Sequence, residues 1–281
     1  MSLRTATALI DLQALRHNLT VIREVAPNSN VLAVLKANAY GHGLERIAKT
    51  LSNDDVDAFG VARLDEALAL RACGVIKPIV LMEGFFSEEQ LPILDVNNLH
   101  TVIHNEHQLD ALLNANLEKP LKVWLKIDTG MHRLGVEPDK FEEFYQKLTA
   151  SANVQPDIVL MSHLSSADER SSSITDSQLA LFSSLTSNKQ ADKSIANSAG
   201  ICAWPNSHYE WIRPGLMLYG VSPLQNEAYT PLDIKPVMTL QSSLISIRNV
   251  TKGESVGYGA AWQAPRNTQI GVVAIGYGDG Y

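Results

Sequence analysis

Apolar residues along this chain fall into short continuous runs, separated by stretches in which they recur every three or four positions. The first kind of segment suits strands buried on both faces, and the second suits amphipathic helices. After an apolar segment at 6–10, Asp11 is placed to cap a helix whose Leu12, Leu15, Leu19 and Ile22 share one face. A polar break at 27–30 follows, and then Val31-Leu32-Ala33-Val34-Leu35-Lys36 reads as a fully buried strand. Past Gly41-His42-Gly43 a second helix carries Leu44, Ile47, Ala48 and Leu51 as its inner stripe.

The same unit then repeats. Strand-like runs are expected at 58–61, 78–82, 101–103, 122–128, 157–162 and 193–197, with helical patterns at 64–73, 105–113, 138–148 and 176–185. The piece near 87–94 is short and carries Pro92. Seven strands with mostly helical crossovers predict an α/β fold, and an eighth at 208–213 would close a (β/α)8 barrel of TIM type. An open doubly wound sheet is the alternative. After about Pro231 the pattern changes to β-branched runs at 237–247 and 268–275, punctuated by glycines and without a helix between them. This predicts a barrel over 1–231 and the beginning of a mainly β domain over 232–281.

Composition narrows the function classes. With 30 acidic against 23 basic residues the chain is net acidic, which disfavours a nucleic-acid partner. Cys73 and Cys202 form no CxxC pattern, so a disulfide scaffold or zinc ribbon is not expected and a reducing cytoplasm is the natural setting. No apolar run is long enough to span a bilayer and no signal-peptide core is present, so no membrane partner is expected. His100, His104 and His107 suggest a metal cluster, but their spacing matches no zinc-helix motif, and no metal is expected. GYGDG lacks the spacing of a dinucleotide fingerprint.

In such a barrel, chemistry sits at the C-terminal ends of the strands. The groups standing there are Lys36, Arg133, His163, Asn197-Ser198 and Arg213-Pro214-Gly215. A lysine that ends a buried strand is the sharpest of these, because desolvation favours the neutral amine that forms Schiff bases. A strand-end lysine reaching out to solvent is the competing reading.

Ala33-Val34-Leu35-Lys36-Ala37-Asn38-Ala39-Tyr40-Gly41-His42-Gly43 resembles the pyridoxal-phosphate lysine signature of the alanine racemase family. Five further kinds of block follow in family order: Lys126 to Gly135, Met161-Ser162-His163, Asn197-Ser198-Ala199-Gly200, Arg213-Pro214-Gly215, and the glycine-tyrosine segments around Tyr258 and Tyr277. The similarity covers essentially the whole chain, which resembles the bacterial biosynthetic enzymes closely.

The resemblance implies an isomerase that interconverts L- and D-alanine on pyridoxal 5'-phosphate, supplying D-alanine for peptidoglycan. Lys36 would hold the cofactor as an aldimine and then serve as base on one face of the substrate, with Tyr258 as base on the other. Arg213 would face the pyridine nitrogen; a guanidinium cannot accept that proton, so the ring stays a weak electron sink and side reactions are disfavoured. His163 would link Tyr258 to Arg213. Tyr40, Ser198 and the backbone at Gly215 and Leu216 would hold the phosphate. Asn197 would support the cofactor site, or simply satisfy its own backbone. Arg133 would meet the substrate carboxylate, Tyr277 would line its entrance, and Lys126 would be open to carbamylation. Unmodified, Lys126 near Arg133 is a like-charge conflict unless Asp128 or another acid intervenes.

A non-catalytic pyridoxal-phosphate-binding barrel would have no use for Tyr258 or a β domain. A decarboxylase of similar build would need an acid where Arg213 stands. The resemblance also implies a head-to-tail homodimer in which Tyr258 completes the partner's site. Set beside the family, the chain is expected to stop inside its β domain and to be weakly active or inactive as it stands.

Overall fold

The computed structural model describes residues 6–224 and 232–280. Contacts divide the chain into two units: Leu12–Val237, and the residues up to Asp11 together with Met238 onward. The chain opens with β1 (Thr7–Ile10), a strand of the second unit.

In the first unit, eight parallel strands close on themselves: β2 (Asn30–Val34), β3 (Ala58–Val61), β4 (Ile79–Leu81), β5 (His100–Ile103), β6 (Val123–Lys126), β7 (Val159–Met161), β8 (Asp192–Ser194) and β9 (Trp211–Ile212). The last strand is only two residues long, yet it closes the ring by pairing Trp211 with Asn30 and Ile212 with Val31. The open-sheet alternative is thereby excluded. Every residue of β3, β4, β6 and β7 is buried, as continuous apolar runs require when side chains point into the barrel on one face and against helices on the other. Leu32, Val34, Ala58, Val80, Val102, Trp124, Val159 and Met161 fill the interior. Gly60 makes room among them, since a Cβ there would lie 2.4 Å from Leu32 Cδ2 and 2.8 Å from Met82 Sδ.

The helices between strands are α1 (Leu12–Val25), α2 (Leu44–Ser52), α3 (Leu64–Ala72), α4 (Leu91–Val96), α5 (Glu106–Asn114), α6 (Phe141–Thr149), α7 (Ile174–Thr186) and α8 (Ser198–Ala203). Helix α1 buries Leu15, Leu19 and Ile22 as its periodicity requires, and also Asn18. Asn18 is satisfied: its amide donates to Leu218 and Lys235 carbonyls and its oxygen accepts from Lys235 N–H. The short crossover with Pro92 is a 3-10 turn leading into α4, where proline falls in the first turn and forfeits no helical bond.

The second unit is built from antiparallel pairs. β1 pairs with β10 (Met238–Gln241), β11 (Leu244–Val250) with β14 (Thr268–Val273), and the short β12 (Ser255–Val256) with β13 (Trp262–Gln263). The run expected at 237–247 is broken after Gln241, where Ser242 turns to donate to the Ala274 carbonyl. The expected boundary at 231 lies outside the described residues, and the contacts divide the chain six residues later. The N-terminal segment, assigned to the barrel by sequence order, goes instead with the β unit because Thr7 to Ile10 register against Gln241 to Met238. No helix among the described residues is long and apolar enough to cross a membrane.

Candidate active site

Lys36 stands two residues past the end of β2, and the backbone beyond it does something unusual. Ala37, Asn38, Ala39 and Tyr40 all have φ between 52° and 55°, four successive non-glycine residues in the left-handed region. At about 1–2 kcal/mol each, such a turn costs roughly 4–8 kcal/mol and persists only where its surroundings over-determine it. Here Ala39 N–H donates to the Leu35 carbonyl at 2.8 Å, and Gly41 N–H to Ala37 at 3.0 Å. Asn38 Oδ1 accepts from Leu44 N–H at 2.8 Å and so caps α2 from inside the turn. His42 Nδ1 lies 3.0 and 2.9 Å from the Ala39 and Tyr40 carbonyls, so this nitrogen carries a proton. The buried Tyr219 packs its ring on both Tyr40 and His42, and its hydroxyl donates to the Val34 carbonyl at 3.0 Å.

Across the mouth, Arg213 follows β9 and is almost wholly buried. Its Nη atoms donate to Ser194 Oγ at 2.6 Å, to the Ser162 carbonyl at 2.5 Å and to His163 Nδ1 at 3.3 Å. All these acceptors are neutral, and the buried Nε has no partner. Burial lowers the guanidinium to about 10, which leaves it charged at neutral pH. His163 is pushed well below the usual histidine range by burial, then by Arg213, Lys126, Arg133 and Lys36. It is therefore neutral, and because Nδ1 accepts from Arg213 its proton sits on Nε2.

Ser198 Oγ accepts from the backbone N–H of Gly215 at 3.0 Å and of Met217 at 3.3 Å, gathering donors at one point. The segment after Gly215 is a single 3-10 turn over Leu216–Tyr219. A Cβ at Gly215 would lie 2.6 Å from the Tyr40 hydroxyl, so glycine is what lets that phenol come against the backbone. Asn197 is occupied locally: its oxygen caps α8 through Gly200 N–H at 3.0 Å and its amide donates to Leu164 at 3.1 Å.

Lys126 ends β6 and is buried. Burial, followed by Arg213 and Arg133, lowers its ammonium to about 8, and Glu83 opposes the shift. Asp128 does not relieve the conflict. Its Oδ1 accepts from the backbone N–H groups of Gly130, Met131 and His132, and Oδ2 faces His132.

Lys36, Tyr40, Arg133, His163, Asn197, Ser198, Arg213, Gly215 and Leu216 all line one cleft of about 480 Å³, all within the barrel unit. Sequence reasoning had assigned a role in the site to every one of them. Tyr258 and Tyr277 belong to the β unit and are fully exposed on it. Met82, Met131 and Asp168 also line the cleft and had been assigned no role; position after a barrel strand was the one signal available. Tyr219, which braces Tyr40 from below, was missed because nothing distinguishes it in sequence from a core aromatic.

The cleft combines a strand-end amine, a buried guanidinium bonded only to neutral groups, and converging neutral donors at a glycine. An aromatic cofactor carrying an anionic group fits that donor set, and the unpaired Arg213 Nε leaves one polar position to be met. Fold and cleft together describe a closed parallel barrel enzyme with a strand-end lysine and converging neutral donors in one cleft.

The models for the alanine racemase N-terminal and C-terminal domains match residues 10–223 and 237–281, and the chain belongs to the alanine racemase family. It is 55% identical to alanine racemase of Vibrio parahaemolyticus over 279 residues, 99% of this chain and 77% of that protein. Biosynthetic alanine racemase of Pseudomonas aeruginosa superposes with a TM-score of 0.94 at 43% identity, covering 99% of this chain and 77% of the other. The alanine racemase of Bartonella henselae, in a structure with covalently bound pyridoxal phosphate, is 28% identical with a TM-score of 0.86, over 99% and 77% of the two chains.

Proposed function

We propose that the cleft is the catalytic site of an alanine racemase that works with pyridoxal 5'-phosphate held covalently by Lys36. The observation that carries this reading is Arg213, a buried cation beside neutral acceptors only, in the same cleft as the strand-end lysine. Ser198, Tyr40 and the backbone at Gly215 and Leu216 would hold the phosphate, and Arg213 would face the ring nitrogen. When bound, the cofactor supplies a conjugated ring that takes up the electron pair released from the substrate α-carbon.

The chain's residues move the protons. The Lys36 amine would remove or return the substrate α-proton on one face. Tyr258 of a second copy acts on the other face, so a head-to-tail homodimer assembles each site. The exposure of Tyr258, between Gly257 at φ 80° and Gly259 at φ 69°, supports that role. Neutral His163, with its proton on Nε2, is suited to donate to the tyrosine oxygen and so lower the cost of its phenolate. A guanidinium at Arg213 could not accept a proton from the ring nitrogen, so it would leave the bound cofactor a weaker electron sink and disfavour side reactions.

Arg133 binds the substrate carboxylate, and Tyr277 lines the entrance. Lys126, once its ammonium has lost a proton, adds as the neutral amine to carbon dioxide and releases a second proton to form a carbamate, so that a negative charge braces Arg133 in place of a buried positive one. The lowered pKa of Lys126 and the absence of Asp128 from its side support this assignment. The product serves cell-wall assembly in the cytoplasm. D-alanine formation from L-alanine by wild type, Lys36→Ala and Tyr258→Phe tests the scheme: both variants should lose racemisation. Undiminished turnover by Tyr258→Phe would remove the second base.

A further inference from the structure

We propose that Glu66 is a positioning residue for Lys36, a carboxylate that holds the left-handed turn in place. The inference rests on reading Lys36 as the cofactor-binding amine. Glu66 lies in the first turn of α3 and uses its two oxygens differently. Oε2 accepts from Ala62 N–H at 2.9 Å and Arg63 N–H at 3.3 Å, the ordinary work of an acid at a helix start. Oε1 leaves its own helix and accepts from Ala37 N–H at 2.7 Å. That amide belongs to the residue immediately after Lys36 and to the first of the four left-handed residues.

One carboxylate therefore bridges the chain beyond two adjacent barrel strands, β2 and β3. The other side-chain ties within the turn, from Asn38 and His42, come from the segment itself. Glu66 adds a charged acceptor from a separate element, at the point where the chain passes from strand to left-handed turn. Charge-assisted bonds to backbone N–H are the stronger kind, and this one fixes the peptide from which the lysine side chain springs.

A plain helix-capping role makes a different forecast, and a rescue separates the two. In Glu66→Ala, exchange of the amides at 37–43, followed by mass spectrometry on the full chain without cofactor, is expected to rise about tenfold or more. The dissociation constant for added pyridoxal 5'-phosphate should rise about tenfold as well. Arg63→Ser in the same background supplies a preferred helix cap. That double variant should regain protection in α3 while the 37–43 amides and cofactor affinity stay impaired. Should Glu66→Ala not fold, Glu66→Gln serves, since its amide group sacrifices one of the two sets of bonds. Faster exchange at 37–43 than in wild type supports the clamp. Wild-type exchange at 37–43 in the single variants, or its recovery with Arg63→Ser, overturns the proposal. Because exchange is read without cofactor, that result stands even if Lys36 proves not to bind it.

Discussion

Replacing Lys126 by methionine should make the barrel more stable at neutral pH. The ammonium is buried beside Arg213 and Arg133, and its pKa falls from 10.5 to about 8, chiefly through burial. At about 1.4 kcal/mol per pKa unit, holding the charged form in the fold costs roughly 3 kcal/mol. Methionine keeps the length and apolar stem of the side chain and removes the charge, so most of that cost should return as stability. The pH dependence gives the signature. Between pH 8 and 10.5 the unfolded chain binds this proton and the folded chain does not, so wild-type stability rises with pH across that window. Below pH 8 both states are protonated and the full penalty stands. The advantage of Lys126→Met should therefore be largest below pH 8 and vanish by about pH 10.5. Urea unfolding in buffer free of carbon dioxide, followed by the fluorescence of buried Trp124 among the other tryptophans, measures it. Added bicarbonate should stabilise wild type and leave Lys126→Met unchanged, because only a lysine can form the carbamate. A variant no more stable than wild type at pH 7, or an advantage that persists undiminished to pH 10.5, would refute the reasoning.

Other outcomes follow from the same geometry. Gly215→Ala brings a methyl to 2.6 Å from the Tyr40 hydroxyl, so affinity for pyridoxal 5'-phosphate should fall about tenfold or more with the circular dichroism unchanged; unaltered affinity would take this contact out of the phosphate cradle. His100, lowered from 6.5 to about 4 mainly by burial, is charged in the unfolded chain first, so stability should be lost as pH falls from about 6.5 to 4, by roughly 3 kcal/mol from this group alone. His100→Asn should flatten that acid limb by about one proton, and an unchanged slope would assign it elsewhere, His163 included. Dilution until sedimentation shows monomers should abolish racemisation while cofactor still attaches to Lys36; full activity in a demonstrated monomer would exclude the shared site.

The barrel was legible because parallel strands covered on both faces must be apolar throughout, and runs such as Val31 to Leu35 have no other economical home. Even the two-residue β9 lies within the run expected at 208–213, where an eighth strand was needed to close the barrel. The cleft was legible for the same reason: residues that immediately follow strands converge at one end of a barrel, however distant in sequence. The left-handed turn was not. Of Ala, Asn, Ala and Tyr only Asn leans locally toward it, and the turn is held by Glu66 and Tyr219 from other elements and by His42 from its own segment. The allegiance of β1 was hidden likewise, because pairing with a strand more than 200 residues later leaves no periodic trace. The choice of Ser194 and the Ser162 carbonyl as partners for Arg213 depends on where strand ends meet, which sequence order does not encode.

The central claim is that Lys36 is the amine that carries the cofactor, and one measurement meets it directly. The protein is incubated with pyridoxal 5'-phosphate, reduced with borohydride and digested, and the pyridoxyl group is located by mass spectrometry. Lys126 is the natural competitor, buried beside Arg213 and Arg133 with a pKa lowered to about 8. The adduct should fall on Lys36 in wild type and be lost in Lys36→Ala; an adduct on Lys126, or labelling undiminished in Lys36→Ala, would contradict the assignment.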